Sequence, residues 1–269
     1  MHVTPALRFT AEQRLDDGVL EREFVLGGSS GTPDASGTPD TSGIPGILWT
    51  PASDAVPPAP LILLGHPGGL RRMYPRLVGR ARHSAAEGFA TATIELPGTG
   101  DRPPLPVVQQ ARADVRQALQ AGGPVGADVI DALILPLVEQ GVPEWRATLD
   151  ALLALPGIGG PVGYSGGVIS IGVRLAVTEP RIVAAGLFAG SFVPRTILDE
   201  ARRVTIPLHV LLQWDDEGND RQAALDLFDA FGSPEKTLEA NMGGHTGVPP
   251  HAGEAAARFF ERHLKRPVT

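Results

Sequence analysis

The sequence predicts an α/β fold: one mostly parallel sheet with helices on both faces. Three observations carry this. Short continuous apolar runs, such as Pro60–Gly65 and Phe89–Leu96, read as strands buried on both faces. Segments with apolar residues at helical spacing alternate with them. The 269 residues suit one large α/β domain, and no composition shift marks a boundary, so a single domain over 1–269 is expected.

The elements follow in order. Ala6–Thr10 and Val19–Leu26 are extended segments joined by the turn signal Asp16-Asp17-Gly18. With Ile44–Pro51 they make residues 1–55 the antiparallel edge of the sheet. Residues 28–45 are expected to be a flexible surface loop, because Ser30–Asp34 and Ser36–Asp40 form a near repeat without apolar residues. The strand Pro60–Gly65 runs into His66-Pro67-Gly68-Gly69. A helix over 74–88 puts Leu77, Ala81 and Ala85 on one stripe and stops at Gly88. After the strand Phe89–Leu96 comes an insertion, 104–145, placed to cap a pocket. It holds the helical stripe Val107, Val108, Ala111, Val115, Ala118, then a segment apolar nearly all round that contains Pro136. Further helices are expected over 145–155, 168–177, 195–203, 218–231 and 251–264. Strands are expected over 160–164, 182–189, 207–214 and 236–241. The alternation requires right-handed crossovers and a parallel sheet.

Composition excludes several classes. A net charge of −7 argues against a nucleic-acid partner and an anionic membrane surface. The absence of cysteine removes disulfides, a thiolate nucleophile and thiolate metal sites. Met1–Pro5 does not start a signal peptide, and no apolar run approaches the roughly 18 residues of a membrane span. A cytoplasmic protein without membrane contact is expected. Lys236 and Lys265 are its only lysines, which with abundant Ala, Gly and Pro indicates a GC-rich bacterial source.

One stretch carries the chemistry. Gly163-Tyr164-Ser165-Gly166-Gly167 fits Gly-x-Ser-x-Gly, the nucleophile elbow of serine hydrolases, between a short extended run and a helix-like run. On this reading Ser165 projects from the end of the sheet. Gly163 and Gly167 then spare a collision across a sharp turn. The base is His245, in the Gly-flanked loop Asn241–Gly247. The acid is Asp216, at the end of the run Val210–Trp214, with Asp215 as the alternative; Glu217 begins the next helix. The oxyanion donors are the N–H of Gly166 and that of Gly68 or Gly69, since Pro67 has none. His66 ties its loop down or lines the pocket; Leu70, Met73, Tyr164 and residues 133–137 line the pocket or pack as plain core. Ser170 is the competing serine, disfavoured because it lies inside the apolar helix run. No phosphate loop, dinucleotide fingerprint or His-Glu-x-x-His occurs, and Pro249-Pro250 between His245 and His251 is a poor frame for zinc, so no metal site is expected.

His66-Pro67-Gly68-Gly69, Glu95-Leu96-Pro97-Gly98-Thr99-Gly100-Asp101, Gly163–Gly167, Asp216 and Gly244-His245 occur in that order. Over about residues 44–264 the chain thereby resembles the α/β-hydrolase superfamily. It is similar to bacterial dienelactone-hydrolase-like and esterase-like members with a serine nucleophile. His66-Pro67 stands where such chains carry His-Gly. The resemblance implies an eight-stranded sheet, a triad of Ser165, His245 and Asp216, a small-molecule acyl substrate and no cofactor. It implies hydrolysis of a carboxylic ester through an acyl-enzyme on Ser165. The same triad serves amides, thioesters, carbon–carbon bonds or acyl transfer. A binding module on an idle hydrolase fold is the alternative of another class.

Overall fold

The computed structural model describes residues 6–27, 43–51, 58–190 and 192–265. Its strands are β1 (Leu7–Arg14), β2 (Leu20–Leu26), β3 (Ile44–Thr50), β4 (Ala59–Gly65), β5 (Ala90–Ile94), β6 (Ile158–Gly166), β7 (Ile182–Phe188), β8 (Leu208–Gln213) and β9 (Lys236–Asn241). Its helices are α1 (Leu70–Ala86), α2 (Pro106–Gln120), α3 (Ala127–Leu153), α4 (Ile169–Thr178), α5 (Arg195–Ala201), α6 (Arg221–Ala230) and α7 (Pro250–Leu264).

The strands make one sheet in the order β1-β2-β3-β5-β4-β6-β7-β8-β9. β1, β2 and β3 pair antiparallel, as does β3 with β5. From β5 through β4 to β9 every pair is parallel. The nine described strands are one more than the eight implied by the resemblance. The expected antiparallel edge is there. The proposed loop repeat within 28–42 lies outside the described residues.

Two helices depart from the sequence reading. α1 begins at Leu70, four residues early, because the buried Glu95 carboxylate accepts the Leu70 N–H at 3.1 Å. A carboxylate there also meets the positive end of the helix dipole. α3 runs unbroken through Pro136 and Pro143, where two separate helices are expected. Each internal proline costs about 3 kcal/mol. α3 buries Leu137, Val138, Val142, Trp145, Leu149 and Leu152, each of them contributing about 1.5–3 kcal/mol. Burial therefore outweighs the cost of the two prolines.

Two cores lie on the two faces of the sheet. One gathers Trp145, Tyr164, Ile171, Leu187, Ile197 and Leu227, under α3 to α6. The other gathers Ile62, Leu64, Leu77, Phe89, Phe260 and Leu264, under α1 and α7. Because side chains alternate along a strand, β6 sends Val162 and Tyr164 to the first face. Gly163 and Ser165 therefore face the second, which decides the geometry below. Among the described residues no helix is long and apolar enough to cross a membrane.

Candidate active site

The carboxyl ends of β8 and β9 build a histidine–carboxylate pair. His245 Nδ1 donates to Asp216 Oδ2 at 2.6 Å. Asn219 Nδ2 donates to the same oxygen at 2.5 Å, and the Gly218 N–H donates to Oδ1 at 2.9 Å. Burial alone would raise the Asp216 carboxyl, but the bonds from His245, Asn219 and Gly218 outweigh it and hold its pKa below the ordinary value. The Asp216 side chain is 4% exposed and that of His245 54%, so the acid is shielded while the imidazole is open to a substrate. The ring of Phe188, at the end of β7, meets that of His245 edge-on at 5.4 Å.

The loop that carries His245 is fixed by its neighbours in β8 and just after it. Asp215 accepts the N–H of Gly243 at 2.8 and 3.0 Å and that of Gly244 at 2.9 Å. Gly244 and Gly243 thereby hold the Asp215 carboxyl below its usual range. Gly243 and Gly244 have positive φ, 123° and 67° in that order, the region that glycine enters at little cost. Gln213 Nε2 donates to the Gly244 carbonyl at 2.7 Å. Asp215, the alternative acid, is thus the anchor of the loop, and Asp216 is the partner of the imidazole.

Ser165 is not brought to this pair. It lies inside β6, paired with Leu64 and Gly186, and its side chain faces α1 and α7. Arg80 Nη2 donates to its Oγ and to its carbonyl, both at 2.8 Å, and Nη1 donates to the Gly65 carbonyl at 3.3 Å. No hydrogen bond links Ser165 to His245. The expected elbow is displaced: α4 starts at Ile169, and the residue at the strand-to-helix corner is Val168. The motif glycines have other duties. A Cβ on Gly163 would lie 2.8 Å from Phe260 and 3.0 Å from Leu264, so this glycine admits α7; a Cβ on Gly167 would meet nothing. The two do not face each other across a turn.

The oxyanion expectation changes with the corner. Gly166 pairs with Gly65 and Leu187 in the sheet rather than opening α4, so the first amide of that helix belongs to Ile169. Gly68 and Gly69 lie where expected, in the loop between β4 and α1. A cleft of about 470 Å³ opens beside them, lined also by Arg72, Thr99, Gly100 and Arg112. β4 and β6 are neighbours, so this loop and the Val168 corner leave adjacent strands at the same edge.

The remaining candidates lie in the core or beside the loop between β4 and α1. His66 is buried and Nε2 donates to the Ile94 carbonyl at 2.9 Å; burial lowers its pKa and keeps it neutral. Leu70 is buried at the start of α1, and Met73 packs near Gly68. Tyr164 is core rather than pocket wall, fully buried with Trp145 edge-on at 6.3 Å. Ser170 is buried in α4. Among the described residues no group of three or more His, Asp or Glu is placed to hold a metal. Arg80, Asn219, Gln213 and Val168 are the site residues that the motif reading does not single out.

No protein-family model matches the chain, and no curated protein matches it. Solved structures do. A cold-adapted esterase from an Arctic intertidal metagenomic library matches at 26% identity and TM-score 0.65, over 96% of this chain and 99% of that one. An acetyl xylan esterase from Paenibacillus matches at 16% identity and TM-score 0.65, over 97% and 89%. A dienelactone hydrolase from Anabaena variabilis matches at 19% identity and TM-score 0.56, over 82% and 93%. The mixed sheet, the histidine–carboxylate pair at its carboxyl edge and these neighbours make the chain a relative of the α/β-hydrolase superfamily.

Proposed function

We propose that the protein hydrolyses small carboxylic esters, with His245 as general base, Asp216 as its orienting acid and water as the nucleophile. One observation carries this reading: the 2.6 Å bond from His245 to Asp216, on an exposed imidazole, coexists with a Ser165 hydroxyl already engaged by Arg80. The Nδ1–H bond to the carboxylate fixes the tautomer and leaves Nε2 free to take a proton. In the first step Nε2 removes a proton from water as its oxygen bonds to the ester carbonyl carbon. The carbonyl oxygen becomes an oxyanion, received by the N–H of Ile169 and of Gly68 or Gly69. In the second step the carbon–oxygen bond to the alcohol breaks, and the imidazolium returns its proton to the departing alkoxide. Similarity to esterases supports the ester as the bond.

The Gly-x-Ser-x-Gly spacing favours a second reading, an acyl-enzyme on Ser165. It requires Oγ to leave Arg80 and the end of β6 to turn over. Turnover of p-nitrophenyl acetate separates the two. General-base catalysis contributes about 10²–10⁴-fold, so His245→Ala should lose that much kcat/KM while Ser165→Ala stays near wild type. Loss of activity in Ser165→Ala would establish the acyl-enzyme. A folded wild-type protein inert on esters, thioesters and amides would point to a binding module.

A further inference from the structure

On the opposite face of the sheet from α3 to α6, a cavity of about 290 Å³ lies between α1 and α7. Ile62, Leu64, Phe89 and Phe260 give it apolar walls, and Gly253, Ala256 and Ala257 leave it room on the α7 side. Arg80 and Ser165 line it too. A guanidinium has five N–H donors. Arg80 uses three, on Gly65 and Ser165, so two remain. No carboxylate among the described residues forms an ion pair with it. Burial pulls the Arg80 pKa down to about 10, the cost of holding a cation away from water without a counter-charge. His83 and Ser84 line the cavity three and four residues further along α1, on the same helix face. The one acid in the lining, Glu87, is seven residues from Arg80, about 10 Å by helical rise. It lies 4.0 Å from Lys265.

A cavity with apolar walls and one uncompensated cation fits an amphipathic anion. We propose that this cavity is a second ligand site, which binds a monocarboxylate of short-alkyl or aryl type, its carboxylate on Arg80 and its apolar body against Phe89 and Phe260. A carboxylate accepts a charge-assisted hydrogen bond from a remaining N–H and supplies the missing charge. Ser165 is then a positioning residue that holds Arg80 in place through its hydroxyl and carbonyl. The site does not involve His245, which is not among its lining residues.

Calorimetric titration of the whole protein with hexanoate tests this, with hexanol as the uncharged control. Hexanoate should bind saturably and hexanol at least ten-fold more weakly. Arg80→Met should abolish hexanoate binding. Should that variant fail to fold, Ala257→Leu fills the cavity with Arg80 intact and should weaken hexanoate at least ten-fold. His245→Ala should leave the affinity unchanged. Equal binding of hexanol, unchanged affinity in Ala257→Leu, or loss of binding in His245→Ala would each overturn the proposal.

Discussion

The two ends of the expected triad have different fates. At the carboxyl edge, His245 and Asp216 are assembled by bonds donated by Asn219, Gly218 and Gln213 and by the Asp215 carboxylate, which accepts the loop's N–H groups. In β6, Ser165 is held by Arg80 on the face of the sheet turned away from His245. The difference lies in what each motif determines. The loop of His245 is set by its own glycines and by an acid that reads their N–H groups. The position of Ser165 depends on where β6 stops, and β6 runs on to Gly166.

The largest change expected from breaking this contrast is a gain. Val168→Ser places a hydroxyl at the strand-to-helix corner. It should turn a protein that a fluorophosphonate probe leaves unmodified into one labelled stoichiometrically, and the labelling should vanish when His245→Ala is added. An intact-mass measurement reads both.

Asp216→Asn comes next. An amide cannot hold imidazolium as a carboxylate does and permits the wrong tautomer, so kcat should fall on the order of 10²–10⁴-fold with the fold intact. Asp215→Ala should act more mildly. It frees the Gly243 and Gly244 amides and loosens the His245 loop, and roughly ten-fold in kcat/KM is expected from a misplaced base. Equal effects of the two substitutions would contradict the division of roles between the neighbouring acids.

Acid stability gives a smaller effect. His66 and His209 are both buried, and burial lowers the pKa of each below the ordinary value of 6.5. Their stabilising contribution is complete above that value. It is lost as pH falls from 6.5 toward their depressed folded values, because the unfolded chain binds protons first. Asp216 behaves likewise in a lower window: its contribution is full above the unfolded value of 3.8 and is lost as pH falls through its depressed folded pKa. Urea midpoints measured from pH 8 to pH 4 should therefore decline from about pH 6.5. A flat profile down to pH 5 would show that the two imidazoles are solvated in the native protein.

How much was legible follows the same divide. The parallel core, its antiparallel edge and the order of elements were readable because apolar runs and helical stripes report burial directly. α3 was not readable as one helix, since the penalty of Pro136 and Pro143 is local while the burial that overcomes it is tertiary. Asp216 and His245 were readable because strand ends followed by Gly-rich loops are where α/β proteins collect polar side chains. Asp215 and Asp216 were harder to tell apart, adjacent in sequence yet one aimed at backbone amides and the other at an imidazole. The displaced elbow had a signal: Gly166, Gly167 and Val168 stand between Ser165 and the first residue of the following helix, Ile169, whereas a nucleophile elbow turns straight from serine into helix. Arg80 had none, because one exposed-looking arginine on an amphipathic helix does not reveal that it reaches under the sheet to Gly65 and Ser165.

The most direct test of the division between the two regions is the rate of p-nitrophenyl acetate hydrolysis by Ser165→Ala, measured beside His245→Ala at one protein concentration. The expected result is kcat/KM within about two-fold of wild type for Ser165→Ala and a loss of about 10²-fold or more for His245→Ala. Loss of both to a common background would contradict it and return Ser165 to the role of nucleophile.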